Sequence, residues 1–226
     1  CTNGVWGAIE NVSNDSTLSR TVDIVVDTGG SFHLAWEDTD NSHIWYRKRN
    51  TDGSYGSKTS LDTNSGRSYG VALCISPNGY IHAAWHDNND DWDVVYRYFN
   101  GTSWSAVTNA SNNPGVTDCG ASLAADSNNQ IYLIWHDYAN IYYAHTVGGV
   151  WKPWYKLSRG NVQQTGTILV NGNGTKHVVW PSRDPGNWDT MWSWESTVDV
   201  TPPGQVSGLT VQAKDSQVTL NWTNPS

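Results

Sequence analysis

The sequence predicts an all-β protein, a β-propeller of about four four-stranded blades followed by a short second module. Three observations carry this reading. One strand phrase recurs four times, as His33-Leu34-Ala35-Trp36, His82-Ala83-Ala84-Trp85, Tyr132-Leu133-Ile134-Trp135 and His177-Val178-Val179-Trp180. Its tryptophans are 49, 50 and 45 residues apart, a period that belongs to propellers and other repeat arrays. Within each copy the two faces of the segment alternate with period two, which is strand periodicity. Fourteen Trp and eleven Tyr stand against two Phe and one Met, and Glu occurs only at positions 10, 37 and 195. Aromatic residues with Gly, Asn, Ser and Thr suit short strands and tight turns, and no stretch sustains helical periodicity.

The chain opens on what reads as the last strand of a repeat. Trp6, Ile9 and Val12-Ser13 are spaced like Trp104, Val107 and Ala110-Ser111, and like Trp151, Trp154 and Leu157-Ser158. A weaker copy is Tyr55, Lys58 and Leu61-Asp62. Residues 21–62, 69–111 and 118–158 then give three full copies. Their strands are separated by Asp27-Thr28-Gly29-Gly30, Ser76-Pro77-Asn78-Gly79, Asn100-Gly101-Thr102 and similar turns, which are hairpin signals. The fourth copy supplies Thr167–Val170, Lys176–Trp180 and Thr190–Trp194 but no fourth strand. The spare strand at 5–13 balances that deficit. The expectation is therefore that residues 5–13 pair with Thr190–Trp194 and close the ring, burying Trp6, because an unclosed array exposes edge backbone and an apolar face. Trp36, Trp85, Trp135 and Trp180 are expected between blades, as scaffold. The propeller should span 1–198 and the second module 199–226.

Composition narrows the partners. A net charge of −8 argues against nucleic acid, which needs a basic face. No apolar run reaches the ~20 residues of a membrane span. No leader segment is visible, so the expectation is a mature, trimmed or partial chain. Cys74 and Cys119 occupy different repeat positions, so two buried thiols and a terminal Cys1 are favoured over a disulfide framework.

The repeat, with its His or Tyr, apolar pair, Trp and Asp, then a Tyr-bearing strand and an Asn-Gly or Gly-Gly turn before Trp, resembles the repeats of sialidase-like (Asp-box) β-propellers. The turns at Asn50–Tyr55, Asn100–Trp104 and Gly148–Trp151 are degenerate versions of the Asp-box. The resemblance covers about residues 5–197. It implies the fold, an extracellular, secreted or cell-surface setting, and sugar chemistry. Such families usually carry six or more blades, and the Arg-Ile-Pro signature of their enzymes is absent here. Residues 199–226, with Pro202-Pro203, Val206, Leu209-Thr210 and Val218–Trp222, resemble the first two strands of a fibronectin type III domain.

No catalytic set is legible. Arg47 and Arg97 are equivalent repeat positions, and Glu37 and Glu195 have no singled-out partner. His33, His82 and His177 share a strand position with Tyr132, which favours a packed ring with a bonded tip over a metal ligand. The richest surface is the set of loops between second and third strands. There His86, Asp87, Trp92, His136, Asp137, Tyr138 and Trp188 combine aromatic faces with planar polar groups, as sugar rings require. The oxygen-rich run Asp87–Asp93 admits Ca²⁺ as an option, without the spacing of a calcium loop, and no other cofactor is expected. The function expected is non-catalytic binding of a glycan or cell-surface polysaccharide. The alternatives are a fragment of a sialidase-like glycoside hydrolase or polysaccharide lyase, and a purely structural surface module.

Overall fold

The structure is a computed structural model that describes residues 4, 6–40, 42–62, 66–90, 92–113, 117–158, 162, 164–184, 187–195, 207–214 and 217–223. Four antiparallel sheets follow one another along the chain. Blade 1 is β1 (Ser19–Val26), β2 (Phe32–Asp38), β3 (His43–Arg49) and β4 (Thr59–Ser60), side by side in that order. Blade 2 repeats it with β5 (Ser68–Ile75), β6 (Ile81–Asp87), β7 (Asp93–Phe99) and β8 (Thr108–Asn109). Blade 3 is β9 (Cys119–Ala125), β10 (Ile131–His136) and β11 (Ile141–Val147), with its outer strand broken into β12 (Val150–Trp151) and β13 (Tyr155–Lys156). Among the described residues, blade 4 has three strands, β14 (Thr167–Val170), β15 (Lys176–Asp184) and β16 (Asn187–Glu195).

Each full blade carries the same two local devices. The first strand slips register near its start, between Arg20 and Asp23, between Tyr69 and Ala72, and opposite Ile134 and His136. At the slip stand Thr21, Gly70 and Gly120, all with positive φ, as a bulge that re-aims a strand requires. Glycine is needed on space as well at Gly120, where a Cβ would lie 1.6 Å from the Thr165 hydroxyl. The second device is the recurring ring of the second strand. His33 Nδ1 lies 2.6 Å from the Tyr46 hydroxyl and its Nε2 3.2 Å from Asp27. His82 sits likewise 2.7 Å from Tyr96 and 2.7 Å from the Ser76 hydroxyl. Tyr132 donates to Asp126 at 2.9 Å. Each ring thus reaches the turn that precedes its strand, and the two histidines also clip the third strand. These side chains are scaffold.

The core lies between sheets. Alternation sends Ile81, Ala83 and Trp85 of β6 toward blade 1, where they meet Ala35, Ile44, Tyr46 and Leu61. Ala84, the intervening residue, faces Leu133, Trp135 and Tyr142 of blade 3. The pattern recurs one blade on, where Tyr132, Ile134 and Tyr143 meet Ile168, Val178 and Trp180. The four repeat tryptophans are all buried. Cys74 and Cys119 are buried free thiols, and Cys1 lies outside the described residues.

Arginine ties adjacent repeats. Arg97 donates through Nη1 to the carbonyl of Leu61, at the outer edge of blade 1, at 2.6 Å. Arg47, its equivalent, donates to the carbonyl of Val12 at 2.8 Å. Residues around Val12 therefore sit against blade 1 as the outer strand of a preceding blade would. Glu10 adds bonds to Arg49 and Tyr55, and Asp15 pairs with Lys58.

This corrects the expectation of closure by the N-terminal strand. Within residues 6–13 the backbone forms no strand, Trp6 is 89% exposed, and β16 pairs with β15 alone among the described residues. The segment is held by blade 1, and no ring closes through it. Both ends of the array show uncovered apolar faces. Val22, Ile24 and Val26 are exposed on blade 1, and Leu169, Val179, Trp192 and Trp194 on one face of blade 4.

The remaining residues form a separate compact unit, Ser196–Ser226, containing the antiparallel hairpin β17 (Ser207–Lys214) and β18 (Gln217–Thr223). Among the described residues no helix is long and apolar enough to cross a membrane.

Because Trp85 has no exposed surface and bridges two blades, Trp85→Ala should cost roughly 3–5 kcal/mol in stability. Equilibrium denaturation measures it, and an unchanged midpoint would contradict the interblade assignment.

Candidate aromatic binding face

The loops joining second to third strands stand at one end of the sheets. At this end of blade 2 three rings cluster. Tyr69 lies parallel to His86, with centroids 5.4 Å apart, and to Trp92, at 5.9 Å. His86 and Trp92 are themselves 6.3 Å apart. Register explains the contact, since Tyr69 of β5 is directly opposite His86 of β6. Trp92 adopts positive φ, 64°, at the end of its loop, and its carbonyl accepts the amide of Asp118 from blade 3 at 3.0 Å. The ring is thereby aimed by backbone on both sides.

Blade 3 offers a second aromatic group in its own loop between second and third strands. Tyr138, also at φ 64°, is 55% exposed and meets the His136 ring edge-to-face at 5.3 Å. His136 is buried, and its Nδ1 accepts the Tyr138 amide at 3.2 Å, which places the neutral ring's proton on Nε2. Burial pushes the His86 ring down to about 4, and the proximity of His136 adds to that. Both rings are therefore neutral at pH 7, contributing donors, acceptors and flat surface rather than charge.

The two acids of the predicted set hold the loops. Asp87 is buried, accepting the Ser68 hydroxyl at 2.9 Å and the Asn89 amide at 2.8 Å. Asp137 accepts from Tyr142, Asn140 and the Ala139 amide. Burial works against its charge, but those hydrogen bonds outweigh it and hold the carboxyl below its ordinary range. Each acid therefore acts in this structure as a turn cap.

Trp188 lies apart from this cluster. The segment read as a loop is instead the end of a long hairpin, with Trp188 in β16 opposite Arg183 and 49% exposed. Tyr69 is the member that the sequence reading missed. Its signal was the register of β5 on β6, which places it across from His86.

Beneath the loops lies a buried polar network. Asp93 accepts from Ser111, Asn109 and the Asn113 amide, and the Asn113 side chain donates to Asp118 at 3.3 Å. Burial drives Asp118 up to about 7. The group has no exposed surface, so it has no access to a glycosidic bond in this structure. For Ca²⁺, Asp87 and Asp93 already bond to the scaffold, Asp91 lies outside the described residues, and among the described residues no group of three or more His, Cys, Asp or Glu could hold a metal.

No known family profile matches the sequence, and no curated protein matches it. Solved structures do. An α-L-arabinofuranosidase from Podospora anserina aligns with a TM-score of 0.53 at 9% identity, over 84% of this chain and 68% of its own. An α-L-arabinanase from Penicillium chrysogenum gives 0.54 at 14%, over 78% and 64%. A Hadza microbial sialidase gives 0.56 at 12%, over 80% and 46%. The chain spans between about half and two thirds of these proteins. At such identities the likeness establishes the fold, a β-propeller architecture.

Histidine burial sets the acid response. His82 and His86 titrate near 4 in the fold, and His33, His136 and His145 are also held below their ordinary value, burial being the largest cause in each. The unfolded chain therefore takes up these protons first, and stability is lost as pH falls from about 6.5 toward 4. Asp118 has the opposite sign, its contribution declining as pH rises from about 4 to 7, but it is one group against five. The melting temperature should drop between pH 7 and 4.5, and His82→Tyr, which copies blade 3, should shrink the drop. A flat or rising profile on acidification would contradict this.

Proposed function

We propose that the blade array is a non-catalytic carbohydrate-binding propeller, acting outside the cell on a glycan or cell-surface polysaccharide. The observation that carries the reading is the ring cluster Tyr69, His86 and Trp92, with the exposed Tyr138 in the equivalent loop of the next blade. Blade packing does not require these rings, and two of them are aimed by strained backbone. Flat aromatic faces cover the apolar face of a pyranose, and neutral imidazoles and amides pair with its hydroxyls. The sugar would meet His86, Trp92, Tyr138 and the more distant Trp188, with the buried His136 seated against Tyr138 and with Asp87 and Asp137 holding the loops beneath. Two of the similar structures are complexes with cellotriose and arabinobiose, which supports sugar as the ligand class. In the same reading the hairpin of the second unit is the start of a fibronectin type III module.

One observation favours a second reading. The similar proteins named above are enzymes, and this chain spans only part of their length. A fragment of a glycoside hydrolase is therefore the alternative, and turnover of aryl glycosides by the purified chain would decide for it.

Each stacked ring should contribute on the order of 1 kcal/mol. Trp92→Ala and Tyr138→Ala should each weaken sugar binding about fivefold while leaving the fold intact by near-ultraviolet circular dichroism. A glycan array followed by calorimetry measures this. Parental binding in both variants would refute the location.

A further inference from the structure

A second cleft opens between blades 2 and 3 at the other end of the sheets, beside the turns that join first to second strands. Its volume is about 500 Å³, within the range of small-molecule sites. The blade 2 wall is aromatic. Tyr80 and Tyr98 lie parallel, 5.6 Å apart with 4° between their planes, and both are half-buried. His82 and Tyr96 continue the wall inward. The blade 3 wall is amide and backbone, from Asn128, Gln130 and the glycine turn at 148–149. A Cβ at either of those glycines would meet nothing within 4 Å, so the space above them is open.

The cleft is built rather than incidental. Asn78 accepts the Ser76 hydroxyl and the Tyr80 amide, which fixes one turn. Asp126 accepts the amides of Asn128 and Gln130, which fixes the other. The Asn78 amide donates to Asn129 Oδ1 at 2.8 Å and locks the two turns together. Several groups remain free of partners among the described residues. These are the hydroxyls of Tyr80 and Tyr98, the side-chain amide of Asn128, and the NH₂ groups of Asn78 and Gln130. No lining residue carries a charge, since burial holds His82 neutral down to about pH 4.

Blade packing does not call for the tyrosine pair. The position of Tyr80 is Ser31 in blade 1 and Gln130 in blade 3, and that of Tyr98 is Lys48 and His145. The pair is peculiar to this junction. An uncharged cleft with one flat aromatic wall and one wall of free amides matches a molecule with an apolar face and a neutral rim of hydroxyls.

We infer that this cleft is a second saccharide site, taking a neutral oligosaccharide with a sugar face against Tyr98 and hydroxyls on Asn128 and Gln130. The inference rests on the carbohydrate reading of the propeller and adds a site on the end opposite Trp92. With two sites on opposite ends, one chain can bridge two glycan strands, and binding to a polymer gains from both together.

The test uses the whole chain and titrates cellotriose, arabinobiose and β-1,3-galactotriose by calorimetry. The parent is compared with Tyr98→Ala/Gln130→Ala and with Trp92→Ala/Tyr138→Ala, each checked for parental near-ultraviolet circular dichroism. The expected result is that the cleft variant loses one binding event, or at least fivefold in affinity, for a sugar that the loop variant still binds. A cleft variant that binds every sugar as the parent does overturns the second site and leaves the carbohydrate reading standing. A parent that binds none of the three overturns both. If the double variant is misfolded, Tyr98→Phe with Gln130→Glu, which keep size and remove the hydroxyl or introduce charge, must lower affinity by the same criterion.

Discussion

Every sheet here has two apolar faces, and that single constraint organises the molecule. Period-two alternation places Trp85 on one side of β6 and Ala84 on the other, so blade 2 is stable only between two neighbours. The hydrophobic contribution therefore accrues at junctions rather than inside blades. Among the described residues three junctions are formed, and each is closed by a tryptophan from the second strand of the later blade. The histidine–tyrosine clips and the arginine ties, Arg97 to Leu61 and Arg47 to Val12, set spacing and register between those contacts.

The same constraint explains the two ends. Among the described sheets of the array, blade 1 packs on blade 2 and blade 4 on blade 3, and each shows apolar residues to solvent on the other side. Exposed apolar patches of this kind mark surfaces that meet something else. The N-terminal segment covers part of blade 1 through Glu10, Val12 and Asp15.

Much of this was legible in the sequence. Strand order, turn positions, the buried tryptophans and the scaffold role of His33 and His82 followed from period two and the repeat of about fifty residues. The placement of residues 6–13 was not, because an outer-strand pattern is the same whether it closes a ring or caps the first blade. Only the rotation between sheets decides, and that is a property of packing. Among the site residues, Trp92 and Tyr138 stood out in the sequence as aromatics that no turn needs, and the structure places both at positive φ in those loops. Asp87 and Asp137 were read as ligand groups, yet each has its oxygens engaged by loop amides and hydroxyls, which sequence spacing does not reveal. Tyr69 was overlooked because its importance lies in a cross-strand neighbour, and the cleft at Tyr80 and Tyr98 because its two walls come from different repeats.

Native-state amide hydrogen exchange, resolved by blade, tests the open array most directly. Local opening free energy follows buried contact, so the account predicts the slowest exchange in β6, β7, β10 and β11, with faster exchange in β1 and the fastest in β14–β16. Equal protection of all four sheets, as a closed ring would give, or greatest protection in blade 4, would contradict it.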